Sequence, residues 1–360
     1  MQPNLNTSKF YMKTKVFYII FAFMLQLFTL PIAAQVVSAQ QESQDSLINV
    51  IAYFCKNDTL SYLYEDYEAK VENNDTIVDH YIKSEIQLVV VDSTSKGYVI
   101  EYTPIKTTIE AYKDTMMAHV VQTIMDTMGD VKYLLSTDEY GTLQHIENWA
   151  EVRDFMKKSI KLMSDSLYGN YPQLNEIIPR QRFEAKLSSY YVNEQAYYKQ
   201  CEDLQLLFQL YGKSYRIGKT ERDVSSQNGF PQHIALIASY GKTDEEDGFD
   251  DDYYIHCGTE TTVPKEEVKD LVKGMMNMMV SDKHLDELNQ GIDSTEYTEA
   301  KIFDAEEYNY FYNGWPCGMT HSKLTEIMGT EKHEIKSLIW TSRRWGVFGG
   351  ESSIQTDETM

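Results

Sequence analysis

The chain has 360 residues, with 55 Asp and Glu against 33 Lys and Arg and a net charge of −22. So acidic a surface repels phosphate backbones, which excludes nucleic acid as a partner class. The length suits about two domains, and 42% hydrophobic residues are enough to build their cores.

The first element is an export signal. In "MKTKVFYIIFAFMLQLFTLPIAA", basic Lys13 and Lys15 precede an apolar run from Val16 to Leu30, followed by small Ala33 and Ala34. That order predicts a secretory signal peptide over 1–34, cleaved after Ala34 or, as second choice, after Ala39. The run is shorter than the roughly 20 residues of a spanning helix, and Gln26 interrupts it. No later stretch is long and apolar enough to span a bilayer, and no cysteine near the cleavage region offers a lipid anchor. The expected location is therefore periplasmic or extracellular. Residues 35–46 read as a polar, flexible segment, 47–180 as an N-terminal β-meander with a helix, 181–350 as a C-terminal α+β half, and 351–360 as a polar tail.

Long strands follow. "LSYLYEDYEAKV" is aromatic and alternating, and "VENNDT" turns it back. In "YIKSEIQLVVVD", Ile82, Ser84, Ile86, Leu88 and Val90 share one face and Lys83, Glu85 and Gln87 the other. Period-two alternation predicts a half-buried antiparallel strand. "YVIEYT", "HVVQTIM", "VKYLLST" and "TLQHI" continue the meander, with turns at "MGD" and "DEYG". A helix then places Trp149, Val152, Met156, Ile160, Met163 and Leu167 at helical spacing, with Asn148 placed to cap it and Gly169 to end it. Its apolar stripe is expected to cover the meander.

"EIIPRQRFE" reads as a linker, and "EQAYYKQCEDLQLLFQLYG" as a second amphipathic helix stopped by Gly212. Strands resume at "KSYRIGKTERD", "HIALIASY" and "YYIHCGTE". A third helix starts at Pro264, and its mid-helix Gly274 suggests the close approach of a strand. Strands return at "TEAKIFDAEEYNYFYNGWP" and "EIKSLIWTSRRWGVF". The predicted fold class is α+β, with long antiparallel meander sheets covered by amphipathic helices in two halves.

The Tyr-rich meander, "STDEYGTLQHIENWAEVRDF" and "YFYNGWPCGM", together with the signal segment, resemble exported proteins of Bacteroidota that carry a domain of unknown function. The resemblance implies an exported α+β protein and supplies no active site.

Chemistry is sparse. The stretch 244–252 holds seven carboxylates in nine residues. Aligned on an EF-hand with Gly248 at position 6, it puts Tyr254 where the bidentate acid belongs, so that calcium site is absent and a solvated turn is expected. "HEIKS" at His333 has Ser337 where a zinc hydrolase needs its second histidine. "CGMTH" offers Cys317 and His321, two ligands where a metal needs more. No nucleophile elbow or phosphate loop occurs. No catalytic residue, metal ligand or cofactor is assigned. The four cysteines, Cys55, Cys201, Cys257 and Cys317, allow three full pairings or remain free.

Two clusters are candidate ligand-binding surfaces. Tyr308, Tyr310 and Tyr312 alternate along a strand with Trp315 beyond them, a pattern that serves sugar stacking or sheet packing. Met275, Met276 and Met279 continue the stripe of the third helix, a pattern that serves a core or an adaptable apolar groove. The sequence thus points to an exported, non-enzymatic protein with ligand-binding or envelope-associated duties. The alternatives are an extracytoplasmic hydrolase acting on a polymer and a lipid carrier. A glycan, an apolar ligand or an envelope protein are the partner classes that remain.

Overall fold

The computed structural model describes residues 47–346, apart from 114, 116, 117, 119, 120, 123–130, 227, 242–252, 280, 281 and 312. Side chains at 177, 275–279, 282–284, 287 and 288 also lie outside the description. The signal segment, the stretch 35–46, the acidic run 244–252 and the tail 351–360 are therefore not among the described residues.

The fold is α+β. Its centre is one antiparallel sheet of eleven strands in the order β6-β5-β4-β3-β2-β13-β12-β11-β10-β9-β8. The first meander comprises β2 (Thr59–Glu72), β3 (Asp75–Thr94), β4 (Gly97–Tyr112), β5 (Tyr133–Thr137) and β6 (Leu143–Ile146). The second comprises β8 (Gly218–Ser225), β9 (Pro231–Tyr240), β10 (Tyr253–Val263), β11 (Ala300–Tyr310), β12 (Pro316–Ile327) and β13 (Thr330–Arg344). They meet where β13 pairs with β2 from Glu331↔Val71 to Arg344↔Thr59. Turn chemistry sets the hairpins. Asn73 and Asn74 both take positive φ between β2 and β3, as do Met328 and Gly329 between β12 and β13.

The middle of β3 follows the alternation. Ile86, Leu88 and Val90 are buried and Glu85 is exposed. Several other expectations need correction. The described residues within "HVVQTIM", at 121 and 122, are helical rather than extended. The expected linker "EIIPRQRFE" lies largely within two helices, Leu174–Ile177 and Arg180–Ser189. The second amphipathic helix is broken into Glu194–Tyr198 and Glu202–Phe208. The break comes at Gln200 and Cys201, whose N–H groups bond to Tyr197 and Tyr198 carbonyls in tight turns.

The helices are numbered in chain order: α1 (Trp149–Asn170), α2 (Leu174–Ile177), α3 (Arg180–Ser189), α4 (Glu194–Tyr198), α5 (Glu202–Phe208), α6 (Lys265–Met279) and α7 (Asp282–Ser294). On α1 the buried stripe is Val152, Phe155, Ser159, Ile160, Ser164 and Tyr168, while Trp149, Met156, Met163 and Leu167 are half-buried. The expected stripe was one position off along part of its length. Only the first half of α1 packs into the sheet's core, through Val152, Trp149 and Met156. The second half joins α3, α6 and α7 in a cluster of helices around Ile160, Phe183, Val272 and Ile292. Asn148 does not cap α1 with its side chain. It ties the helix to β5 instead, accepting from Leu134 N–H at 3.0 Å.

The helical layer touches the sheet on two flanks and, through α5, over its middle. One flank attachment is α1 near β5 and β6. The other is α6, where Val268 packs with Val263 of β10 and Ile302 of β11. The strands β3, β2, β13 and β12 lie between these flanks in the sheet order, and α5 packs on β12 and β13 with Leu204, Leu207 and Phe208 buried in the sheet's core.

A segment before β2 closes the apolar end of the interior. Ile48, Val50, Ala52 and Phe54 are buried in alternation. The strand β1 (Leu47–Asn49) pairs with β7 (Ser214–Arg216). Ala52 N–H then donates to Tyr140 O at 2.9 Å and Tyr53 N–H to Asn313 O at 3.1 Å. Glycines permit the approach. Gly314 has φ +82°, and a Cβ there would lie 2.2 Å from the Ile51 carbonyl oxygen. Gly141 has φ +94°, and its Cβ would meet that of Ala52 at 2.6 Å.

Gly274, by contrast, is exposed and nothing lies within 4 Å of an added Cβ, so no strand approaches it. The two glycines predict opposite outcomes in urea unfolding. Gly314→Ala should lose more than about 2 kcal/mol, from left-handed strain and a backbone clash. Gly274→Ala should gain about 0.5–1 kcal/mol, from helix propensity alone.

Candidate ligand-binding interior

The inner face of the sheet changes character along its strands. At one end it is aromatic. Tyr62, Tyr308, Tyr310 and Trp315 are fully buried there. Trp315 stacks on Phe54 with ring centroids 3.7 Å apart, and Tyr310 stacks on Tyr253 at 5.0 Å. Stacking on a sugar needs an exposed ring face, and Tyr308, Tyr310 and Trp315 present none: each is at most 1% exposed. Tyr312 lies outside the described residues. The backbones of Met275, Met276 and Met279 belong to α6, but their side chains lie outside the description.

The other end of the same face is charged and still buried. Register brings the residues together. On β2, Asp66, Glu68 and Lys70 continue the inward parity of Leu60, Tyr62 and Tyr64. They stand opposite Lys336, Glu334 and Lys332 of β13. Those in turn oppose His321, Lys323 and Thr325 of β12. Across the next ladder stand Glu306, Asp304 and Ile302 of β11. Lys332 is 1% exposed and Lys323 3%.

Most of these charges are matched. Lys332 Nζ lies 3.0 Å from Glu68 and 2.9 Å from Glu334. Lys70 meets Asp79 at 3.1 Å, and His80 meets Asp66 at 3.1 Å. From α5, Glu202 reaches down to Lys336 at 2.5 Å and to His321 at 3.7 Å. His321 Nε2 lies 2.7 Å from Asp304 Oδ1. Glu306 accepts from the Tyr308 hydroxyl at 3.1 Å, and burial pushes its carboxyl pKa up.

Burial pulls the His321 pKa down, but Asp304 and Glu202 outweigh it and raise it to about 10. Burial pushes the Glu202 pKa up, but Lys336 and His321 outweigh that and lower it to about 2. His321 is thus an imidazolium at neutral pH. It is held between two carboxylates and is unable to accept a proton as a general base.

Among the described residues of the belt, one cation stands apart. Lys323 Nζ is buried without a hydrogen-bond partner, and no ion pair reaches it. Its cross-strand neighbours are Glu334 and Asp304, but those carboxylates are taken by Lys332 and His321. Burial pushes its pKa down, against the pull of Glu334 and Asp304. The Thr325 hydroxyl, two residues along on the same face, is also buried and unpartnered. So are the hydroxyls of Ser159 and Ser164 on α1. A buried polar group without a partner costs roughly 1–3 kcal/mol and needs an explanation.

The sequence signal for this belt was parity. In "AKIFDAEEYNY", Asp304 and Glu306 fall on the same alternation as Ile302, Tyr308 and Tyr310. A charge on the apolar parity of a strand is a buried charge.

The motifs considered earlier are spread apart. His333 and Ser337 of "HEIKS" lie on the outer parity of β13, while Glu334 and Lys336 point into the belt. His321 of "CGMTH" is in the belt, whereas Cys317 bonds the Asn309 carbonyl at 3.3 Å. All four cysteines are free thiols. Among the described residues no three His, Cys, Asp or Glu side chains are grouped as a metal site requires. No described helix is long and apolar enough to cross a membrane.

No family model and no curated protein matches the chain. Among solved structures, lipovitellin, described for its lipid–protein interactions, is 7% identical over 85% of this chain with a TM-score of 0.38. The chain spans only 27% of lipovitellin's own length. An outer-membrane channel from Pseudomonas putida F1 is 6% identical over 84% of this chain and all of the channel, with a TM-score of 0.13. At these scores neither likeness assigns a fold or a function.

Two tests follow from the belt. Lys332→Met leaves Glu68 and Glu334 buried and unpaired, and should cost about 3–5 kcal/mol in denaturant unfolding. Lys323→Met removes an ammonium with no partner, so its unfolding midpoint should match or exceed that of the wild type. The second test is pH. The raised His321 pKa contributes stability that is full below about 6.5 and is lost as pH rises towards about 10. The lowered Glu202 pKa contributes stability present above 4.5 and lost as pH falls towards about 2. Unfolding free energy should therefore decline from pH 6.5 to 10, and His321→Gln should flatten that limb.

Proposed function

We propose that this is an exported, non-catalytic binding protein that holds a small ligand between the inner face of the sheet and the helical layer. One observation carries the reading. The inner face of the sheet buries polar atoms without partners, Lys323 Nζ and Thr325 Oγ1. An interior settled for stability alone pairs such atoms or replaces them with apolar groups. A ligand with polar groups of its own would supply the partners.

The arrangement of layers supports the same reading. The charged belt lies on strands between the α1 and α6 attachments, beneath α5. Among the described residues, α5 alone of the helices bonds to the belt, through Glu202. A hydrolase is less well supported. His321 and Asp304 look like a base and its orienting acid, but the imidazole is already protonated. Among the described residues no serine, threonine or cysteine hydrogen-bonds a histidine to make an activated nucleophile.

Export rests on the sequence of residues 12–34. The free thiols are compatible with an oxidising compartment. Burial pushes the Cys201 pKa well up and that of Cys257 up to about 12, so both stay thiols and react slowly.

The experiment is native mass spectrometry of the protein purified from its own host, before and after denaturation. A bound mass in the small-molecule range, released on unfolding, is the expected result. A bare chain in repeated gentle preparations would overturn the proposal.

A further inference from the structure

The sheet offers a definite chemistry to whatever occupies the interior. We infer that Lys323 and Thr325 bind the acidic group of an anionic ligand, a carboxylate or a phosphate. The inference rests on the interlayer binding reading and specifies its ligand class.

The argument starts from pairing. Within ion-pair distance, Lys332 takes Glu68 and Glu334, Lys336 takes Glu202, and His321 takes Asp304. Each carboxylate beside Lys323 on its neighbouring strands is thereby committed to another cation. Lys323 keeps three ammonium donors and no acceptor.

The second observation is Thr325. Residues two apart on a strand share a face. The Thr325 hydroxyl is therefore a second unpartnered group on the Lys323 side of β12. An ammonium and a hydroxyl together match the two oxygens of a carboxylate or the several of a phosphate. Such charge-assisted bonds are about twice as strong as neutral ones.

Neighbouring apolar surface gives the ligand a further character. Ile302 stands opposite Thr325 on β11 and packs with Val268 and Leu271 of α6. An acidic group at Lys323 would thus have an apolar wall beside it. That arrangement suits an acid with a hydrocarbon tail better than a free inorganic anion. A bare ammonium in such a site would otherwise be neutralised by losing its proton, the direction in which burial already drives it.

The test uses the purified full chain, isothermal titration calorimetry and three probes: decanoate, decanol and inorganic phosphate. Decanoate should bind at least about tenfold tighter than decanol, the difference expected for a charge-assisted contact. In Lys323→Met that preference should shrink to about twofold or less, while decanol binding is unchanged. Lys323→Arg should restore part of it. Thr325→Val should weaken decanoate alone, which keeps the test open if the lysine variants fold poorly.

Phosphate binding that is lost in Lys323→Met, with decanoate silent, would uphold the acidic chemistry and identify a free anion as its source. Equal binding of decanoate and decanol to the wild type would overturn this inference and leave the interlayer reading standing. A decanoate preference that survives Lys323→Met would overturn the assignment to this lysine. Silence from all three probes, with a bare chain in the native spectrum, would overturn the inference and the binding reading together.

Discussion

The fold depends on the carboxylate of Asp58. It is fully buried, yet it accepts three hydrogen bonds: from Cys55 N–H at 2.9 Å, from Gly346 N–H at 2.7 Å and from the Trp315 indole at 3.1 Å. Those donors come from the segment before β2, from the end of β13 and from the turn between β11 and β12. Asp58 fixes the end of the segment Ile48–Phe54, beside the bond from Tyr53 N–H to the Asn313 carbonyl and that from the Ser93 hydroxyl to the Phe54 carbonyl. Burial pushes the Asp58 pKa up, and the three donors pull it back. Phe54 stacked on Trp315 makes the apolar counterpart of the same junction. Residues far apart in sequence thus meet at one point, and the two meanders are fastened there as well as along the β2–β13 ladder.

This junction explains what the quoted motifs do. "NGW" supplies Asn313, whose carbonyl receives Tyr53 N–H, Gly314, which makes room for Ile51, and Trp315, which stacks and donates. "DEYG" supplies the Tyr140 carbonyl for Ala52 and the bare Gly141 against which Ala52 packs. "DEYG" was legible as a turn, whereas "NGW" reads as the end of a strand. Their shared role was not legible, because nothing in the sequence pairs either of them with the segment Ile48–Phe54. The long strands were legible because one face was apolar over many residues. The helix break at Cys201 was hidden because Tyr197, Leu204, Phe208 and Tyr211 keep helical spacing across it, and all four are buried. Periodicity records burial, and two short helices that bury the same side produce the same record.

The candidate site was hidden by a different habit. Tyrosines and methionines attract the search for ligands because they are large and sticky. Here Tyr308 and Tyr310 are packing residues, and the groups of interest are charges placed at apolar parity. Asp304 and Lys323 were counted among the many charges of an acidic chain, where they look ordinary. Only the register shows that they face inward together with Glu334 and Lys332. Local rules broken in a consistent way across adjacent strands mark a place where sequence was selected for something besides the core.

The cost of such a belt constrains its role. Each buried ion pair recovers at best its own desolvation, so the paired members add little net stability. Apolar residues of similar volume would hold the sheet and helices together as well. The matched pairs have another effect: they fix the positions of their neighbours. With Glu334 held by Lys332 and Asp304 held by His321, neither carboxylate is free to turn and satisfy Lys323. Among the described residues of the belt, Lys323 is thereby left as an unmatched cation. A frame of paired charges that keeps a single charge available is how a rigid site prepares for an ion of opposite sign. In that physical sense the costly half of this sheet is consistent with the proposed binding role.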